Sequence, residues 1–433
     1  MAIDSVATDP PAVENVSANQ LKGFFGAFGG WTLDGFDQSI FGLVLAPAML
    51  ELLPKSGYIA DTGTIGYFGQ LNVAIFLLGW GCSFVWGPIA DRTGRIPALT
   101  YAILVYAIFT SLAGFAQSIW QLAFCRFVAA IGIGGEWAMA GTLVSELMPE
   151  RLRTKFGGVL HAGVYVGLLL GALVNYTIGI DLGWRWMFYL GLLPAVFVVY
   201  IRWQTHEPRR WTDVSGKTKQ MSFWQFIGIL FQPAYRQRTI INVFLIFIAL
   251  TGFWAGSQYL GATIVSLEMQ QGAPRVTALN TASIALAVLS FFTVIGCLLA
   301  PIVADRIGRR TTLAISFVLM IIGIVGAYGW AYYQNNIGYF FAFIPILGLG
   351  GADFALFTVW LPEQYHTEVR ASAFAFCTTM SRFMAAIGTF IIGWGISAAH
   401  TIGWPLALTA VPFVIGLLLI PHSVETTGNP LPK

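Results

Sequence analysis

Gly87-Pro88-Ile89-Ala90-Asp91-Arg92-Thr93-Gly94-Arg95 lies between two apolar stretches, and Pro301-Ile302-Val303-Ala304-Asp305-Arg306-Ile307-Gly308-Arg309 lies between two others. The shared Asp-Arg-x-Gly-Arg recurs at an offset of 214 residues. Glu146 with Arg153, and Glu363 with Arg370, form a second pair at an offset of 217, each seven residues apart. Two matches at nearly one offset indicate an internal duplication. The residue types suit a latch. Gly87 admits a neighbouring helix at close range. Asp91, at a helix end, can accept hydrogen bonds from a facing helix N-terminus or from an arginine. Arg92 and Arg95 supply partners, and Gly94 belongs to the same gating set. Asp305, Arg306, Gly308 and Arg309 repeat the set. Charge pairs at an interface are weak enough to break again, as a gate requires. The plainer alternative is a basic loop that only orients the chain.

Outward from these loops the chain is mostly oil. Of 433 residues, 57% are hydrophobic and 10% charged, with a mean hydropathy of +0.72. A soluble domain carries roughly 25% charged residues, so lipid must be the main solvent. A membrane helix needs about 20 apolar residues. Twelve stretches qualify: 21–50, 65–90, 96–116, 119–147, 153–179, 185–203, 239–267, 276–304, 311–333, 337–362, 370–398 and 402–421. The polar stretch 204–238 divides them into bundles 21–203 and 239–421, flanked by tails 1–20 and 422–433. Of 23 Lys and Arg, 18 fall on the termini, the even-numbered loops and the central loop or on the helix ends that adjoin them. The positive-inside rule then places the termini and that loop in the cytoplasm. Residues 1–20 contain no apolar core of a cleaved signal, so the first helix directs insertion. Cys82, Cys125, Cys297 and Cys377 all lie in apolar segments and read as small buried residues. No metal-ligand cluster, phosphate-cradling loop or catalytic triad is legible, and no cofactor or nucleic-acid partner is implied.

Charges inside apolar helices are costly and default to function. The first helix carries Asp34-Gly35-Phe36-Asp37, two carboxyls three residues apart and so on one face. A carboxyl held out of water can bind and release a proton near neutral pH. The fourth helix carries Arg126, which cannot deprotonate and must face a carboxylate: Asp34, Asp37 or a substrate. Gly132, Gly134 and Gly135 follow it and permit close packing. Glu136, nearly three turns beyond Arg126, projects from roughly the same side, either as a proton-coupling group or as the partner of a loop base. The eleventh helix carries Arg382, whose planar fork suits a carboxylate. Its alternative partner is Asp353 of the tenth helix, itself a candidate substrate-site, proton or gating residue. His161, Asn175, Gln258 and Tyr259 could line a cavity or serve as hydrogen-bonded wall residues.

Gly87 to Arg95 resembles the signature loop between helices 2 and 3 of the major facilitator superfamily. That resemblance covers residues 21–421 and implies an all-α membrane fold of twelve helices in two pseudo-symmetric six-helix bundles. Asp34-Gly-Phe-Asp37, Gly135-Glu136, Leu361-Pro-Glu363 and the Arg370 to Arg382 stretch are similar to the sialate/lactate and aromatic-acid proton symporters, and Arg126 with its glycines resembles the helix 4 motif of proton-driven members. Glu207-Pro208-Arg209-Arg210-Trp211 resembles the stop after helix 6 of sugar and organic-acid porters. Helix 7 departs from sugar porters, whose paired-Gln pattern is reduced here to Gln258. The resemblance implies a monomeric carrier in the inner (plasma) membrane whose partners are the lipid bilayer, protons and a small organic anion. Asp37, Asp34, Arg126 and Glu136 would couple protons. Arg382, Arg126, His161, Gln258, Tyr259 and Asp353 would meet the anion. A sugar or polyol symporter of the same fold, and a nutrient sensor without flux, remain open as rivals. The short stretch after Pro421 speaks against the sensor.

Overall fold

The computed structural model describes residues 16–60, 62–174, 182–196, 205–399 and 401–432. Seventeen α-helices lie among the described residues: α1 (Ala18–Lys55), α2 (Thr62–Gly81), α3 (Trp86–Thr93), α4 (Arg95–Ala113), α5 (Ile119–Leu147), α6 (Glu150–Val174), α7 (Trp184–Leu190), α8 (Arg209–Thr218), α9 (Phe223–Leu230), α10 (Arg236–Gln270), α11 (Arg275–Ile307), α12 (Arg309–Ile324), α13 (Ile337–Gly350), α14 (Asp353–Glu363), α15 (Arg370–Ala399), α16 (Gly403–Ala407) and α17 (Ala410–Leu419). Seven continuous helical stretches are long and apolar enough to cross a membrane among those residues, including Arg95–Ala113, Ile119–Leu147 and Ile337–Glu363. α1, α6, α10 and α15 are 38, 25, 35 and 30 residues long and also reach across a bilayer about 30 Å thick. The helix expected over 185–203 is described only to residue 196, and Asn175 lies outside the described residues. The architecture is the twelve-span, all-α membrane fold.

These helices bury small and aromatic residues against one another and leave Leu, Ile, Val and Phe on the outside. Leu78, Phe124, Phe291, Ile391 and Leu418 are each about half or more exposed, which lipid rather than water accommodates. α1 packs on α6, α4 on α5, α10 on α15, and α11 on α13. Across the middle, α6 packs on α11 and α14, while α3 and α5 pack on α15. The first-half helices therefore meet second-half helices in two seams.

Both signature loops turn on a glycine in the left-handed region, Gly94 at φ 117° and Gly308 at φ 98°, where a side chain would be strained. Each turn opens a helix whose first amides need an acceptor. Glu207 accepts from the amides of Arg95 (3.0 Å) and Ile96 (2.8 Å). Glu425 accepts from those of Arg309 (3.1 Å) and Arg310 (3.0 Å). The duplicated unit thus has a third element, a glutamate that returns from beyond the sixth and twelfth helices to cap the third and ninth. Burial raises the Glu207 carboxyl above its usual range. Burial also pushes Glu425 up, but bonds from Thr427 and from the Arg310 and Arg309 amides outweigh it and hold that carboxyl at about 2. The Glu425 cap is therefore fully charged at neutral pH and weakens only as strong acid protonates it. Losing such a cap costs about 1 kcal/mol. Glu425→Ala should speed hydrogen exchange at the Arg309 and Arg310 amides by roughly fivefold, read by mass spectrometry, and leave exchange at Arg95 unchanged.

Candidate functional site

The first half holds a cluster of buried charges. α1 and α5 bring Asp34, Asp37, Arg126 and Glu136 together, each fully or almost fully buried. Arg126 Nη1 reaches both Asp37 oxygens, at 3.2 and 3.4 Å, and Thr110 Oγ1 at 3.5 Å. Its guanidinium lies 4.7 Å above the Phe76 ring, a cation–π contact that adds to the ion pair. Asp34 Oδ2 accepts from Gln38 at 3.0 Å. Its electrostatic neighbours are Glu136, Asp37 and Arg382. Glu136 is turned toward α1: a methyl at Gly30 would overlap its Oε1. The structure so assigns Arg126 to Asp37 and leaves Asp34 and Glu136, two carboxyls, facing each other with Tyr106 beside them.

The seam between the halves begins one step away. Arg382 on α15 lies with its guanidinium 4.2 Å from the Trp80 ring and 5.1 Å from the Trp137 ring. Its Nη1 donates to the Thr378 carbonyl of its own helix at 2.9 Å. Among the described residues its Nε has no partner. The charge it feels is Asp34; no bond joins it to Asp353 among the described contacts. Trp137 Nε1 donates to Thr358 Oγ1 (2.8 Å), and Thr358 Oγ1 lies 3.2 Å from His161 Nδ1. The His161 ring stacks on Phe354 with centroids 6.0 Å apart at 17°. A second tie joins Ser83 Oγ to Thr379 Oγ1 at 3.2 Å. The result is an aromatic-walled, hydrogen-bonding seam with one guanidinium on it. Tyr259 is half-buried at the margin of the core, and the side chain of Gln258 lies outside the described residues.

At the end carrying the signature loops the seam is latched. Arg95 grips Glu146 with two bonds (3.0 and 2.9 Å) and Asp91 with a third (2.8 Å). Arg309 grips Glu363 (3.1 and 3.0 Å) and Asp305 (3.0 Å) in the same way. Each glutamate then takes an arginine from the other half: Arg370 on Glu146 at 2.7 Å and Arg153 on Glu363 at 2.9 Å. Asp91 also accepts from the amides of Ala371 (3.3 Å) and Ser372 (2.7 Å) at the start of α15. Gly87 is in place for this approach, since a Cβ there would sit 2.5 Å from Ser372 Cα. Arg92 and Arg306 are exposed to solvent. The partners Gly30, Gln38, Trp80, Thr358 and Glu425 are not among the sequence candidates. The duplication could have pointed to Glu425, which lies 218 residues after Glu207; nothing local marks the rest.

A family model described as Major Facilitator Superfamily matches residues 27–389 and 276–433. Among curated proteins, the chain is 27% identical over 421 residues to the probable 4-methylmuconolactone transporter of Cupriavidus pinatubonensis, covering 95% of this chain and 92% of that one. It is 26% identical over 409 residues to the cis,cis-muconate transport protein of Acinetobacter baylyi, covering 91% and 92%. Among solved structures, the proton:xylose symporter XylE superimposes with a TM-score of 0.81 at 18% identity, over 96% of this chain and 98% of that one; this likeness is one of fold.

Removing one member of a buried pair strands the other and costs about 3–5 kcal/mol. Arg126→Gln should therefore lower the melting temperature in detergent sharply. The double variant Asp37→Asn/Arg126→Gln should recover most of it, read by thermal melting of the purified protein.

Proposed function

The chain belongs to the major facilitator superfamily, and on that premise we propose that this membrane transporter is a proton-coupled symporter for a small organic acid anion. It works by alternating access, with its termini and central loop on the cytoplasmic face of the inner (plasma) membrane. Most Lys and Arg lie on that side, as orientation in a membrane demands.

The observation that carries the cargo class is Arg382. A guanidinium this deep, walled by Trp80 and Trp137 and bonded only within its own helix among the described contacts, is a grip for a carboxylate. The indole faces suit a flat or partly apolar acid. The relative that carries muconate, a carboxylate, supports the same class. Coupling follows from charge balance. With no cargo, Asp34 is the anion nearest in effect to Arg382. A carboxylate arriving on Arg382 takes over that balance, and Asp34, already facing Glu136, is then left as surplus negative charge out of water. It takes a proton. The pair Asp37–Arg126 is neutral within itself, so the geometry favours Asp34 with Glu136 over Asp37 as the first proton carrier. With Glu136 protonated throughout, the site loaded with anion and proton is neutral and the halves rock. The latch at the cytoplasmic end must then open, exchanging its ion pairs for water. His161 and Thr358, bonded across the seam, register closure.

The test is uptake into proteoliposomes with an inward proton gradient, offering labelled lactate-, benzoate- and sialate-type acids and one neutral sugar. One acid should accumulate and fall back when the gradient is collapsed. Arg382→Gln should raise its KM by roughly ten- to a hundredfold, the worth of a charged bond at about 1.5–3 kcal/mol. Asp34→Asn should abolish accumulation while sparing acid-for-acid exchange. Accumulation of the sugar alone, with Arg382→Gln unaffected, would overturn the anion assignment. Asp34→Asn that still concentrates the acid on a pH gradient would overturn its role as proton carrier.

A further inference from the structure

The stretch that reads as one span over 337–362 is broken in the middle. α13 ends at Gly350, Gly351 and Ala352 form a turn, and α14 begins at Asp353. The break is wedged in place: a Cβ on Gly296 of α11 would come within 2.5 Å of the Ala352 methyl. A fresh helix N-terminus is thereby held inside the membrane-spanning stretch Ile337–Glu363.

Asp353 at that N-terminus is completely buried, and among the described residues no side chain bonds either carboxyl oxygen. The main-chain amide of Phe354 reaches toward it. Tyr165 of α6 and Cys297 of α11 lie within electrostatic reach of it, and His161 of α6 is stacked on the next residue, Phe354. Among the described residues no charged side chain of the other helices packed on α14 acts on this carboxyl: Arg382 of α15 bonds within its own helix and lies against Trp80 and Trp137, and Arg153 of α6 reaches Glu363 at the far end of α14. Arg309 of α12 and Arg370 of α15 reach its far end, at Glu363 and the Pro362 carbonyl. Arg238 of α10 reaches only the Gln364 carbonyl. α5 offers Trp137, while its Glu136 turns to α1.

This carboxyl therefore differs from Asp37, which has Arg126, and from Asp34, which has Gln38 and the field of Arg382. It sits where α6 of the first half closes on α11 and α14 of the second. An unpaired carboxylate sealed there would be costly, whereas the neutral acid is not. The partial positive charge of one helix N-terminus, worth about 0.3–1 kcal/mol at exposed sites, does not replace a counter-ion.

We propose that Asp353 is a second proton-binding site, loaded whenever α6 is closed on α11 and α14 and emptied when the seam parts and water enters. It rests on the alternating-access reading but on neither the cargo nor the proton role of Asp34. Closure of this seam would itself consume a proton. Alkaline solution would then hold the carrier open without any cargo present.

Cys297, fully buried where α11 meets Gly158 of α6, reports the seam. In full-length protein with Cys82, Cys125 and Cys377 replaced by Ser, the rate of Cys297 alkylation by a small maleimide is followed from about pH 6 to about pH 9, without cargo. Asp353→Asn supplies the baseline, since it reports thiol ionisation alone. The protein with Asp353 intact should be alkylated about tenfold faster than that baseline at the alkaline end, and equally at the acid end. Identical profiles would overturn the proposal. If Asp353→Asn does not fold, Asp353→Glu serves: its alkylation midpoint should move along the pH axis, and an unmoved midpoint overturns the proposal equally. No acid need be transported for either readout, so a failed uptake assay and a failed proton site remain distinguishable.

Discussion

A charge taken out of water must find an opposite charge or a set of donors, and this protein is organised around that constraint. Its clearest expression is the doubled latch. Glu146 and Glu363 each accept one arginine from their own half and one from the other. All six groups in these two sets are nearly or wholly buried. Breaking a buried pair without replacement is expensive. Parting the halves in water is not, because every ion released is hydrated at the moment it loses its partner. The latch can therefore be firm when closed and still reversible.

The same rule sorts the interior. Asp37 and Arg126 neutralise each other within the first half, so they can stay put through a cycle. Arg382 cannot be neutralised locally; it is tolerated by two indole faces and the field of a distant aspartate. Asp34 and Glu136 are the converse, two carboxyls set against each other. In the proposed cycle an arriving anion and proton complete these balances. Differential interaction of this kind is what lets a ligand shift a conformational equilibrium.

Much of this was legible in the chain. The twelve apolar stretches match the helices to within a few residues wherever these are described, because burial in lipid imposes an unbroken apolar length that needs no partner to be recognised. Asp34, Asp37, Arg126 and Arg382 stand out because a charge in such a stretch is rare. Partners were less legible. Arg126 had two aspartates one turn apart to choose from, and only the rotation of α1 against α5 selects Asp37. Arg382 had Asp353 as an alternative, but it feels Asp34 instead and bonds to its own helix. Arg92 looks equivalent to Arg95 in the loop but points into solvent, since one residue's rotation at the Gly94 turn decides which arginine enters the seam. Gly30 matters because Glu136, 106 residues later, needs the space.

By itself the sequence determined the solvent, the number of spans, the duplication and the inventory of buried charges. Each of these is a local or periodic property, written in residue type and spacing. Only the tertiary structure decided which charges pair, that Glu207 and Glu425 return to cap helices more than a hundred residues earlier, and that Asp353 sits at a broken helix with no counter-charge among the described residues. Pairing is set by the rotation and depth of helices far apart in the chain, and those are fixed by packing summed over whole helix faces, which no short motif encodes.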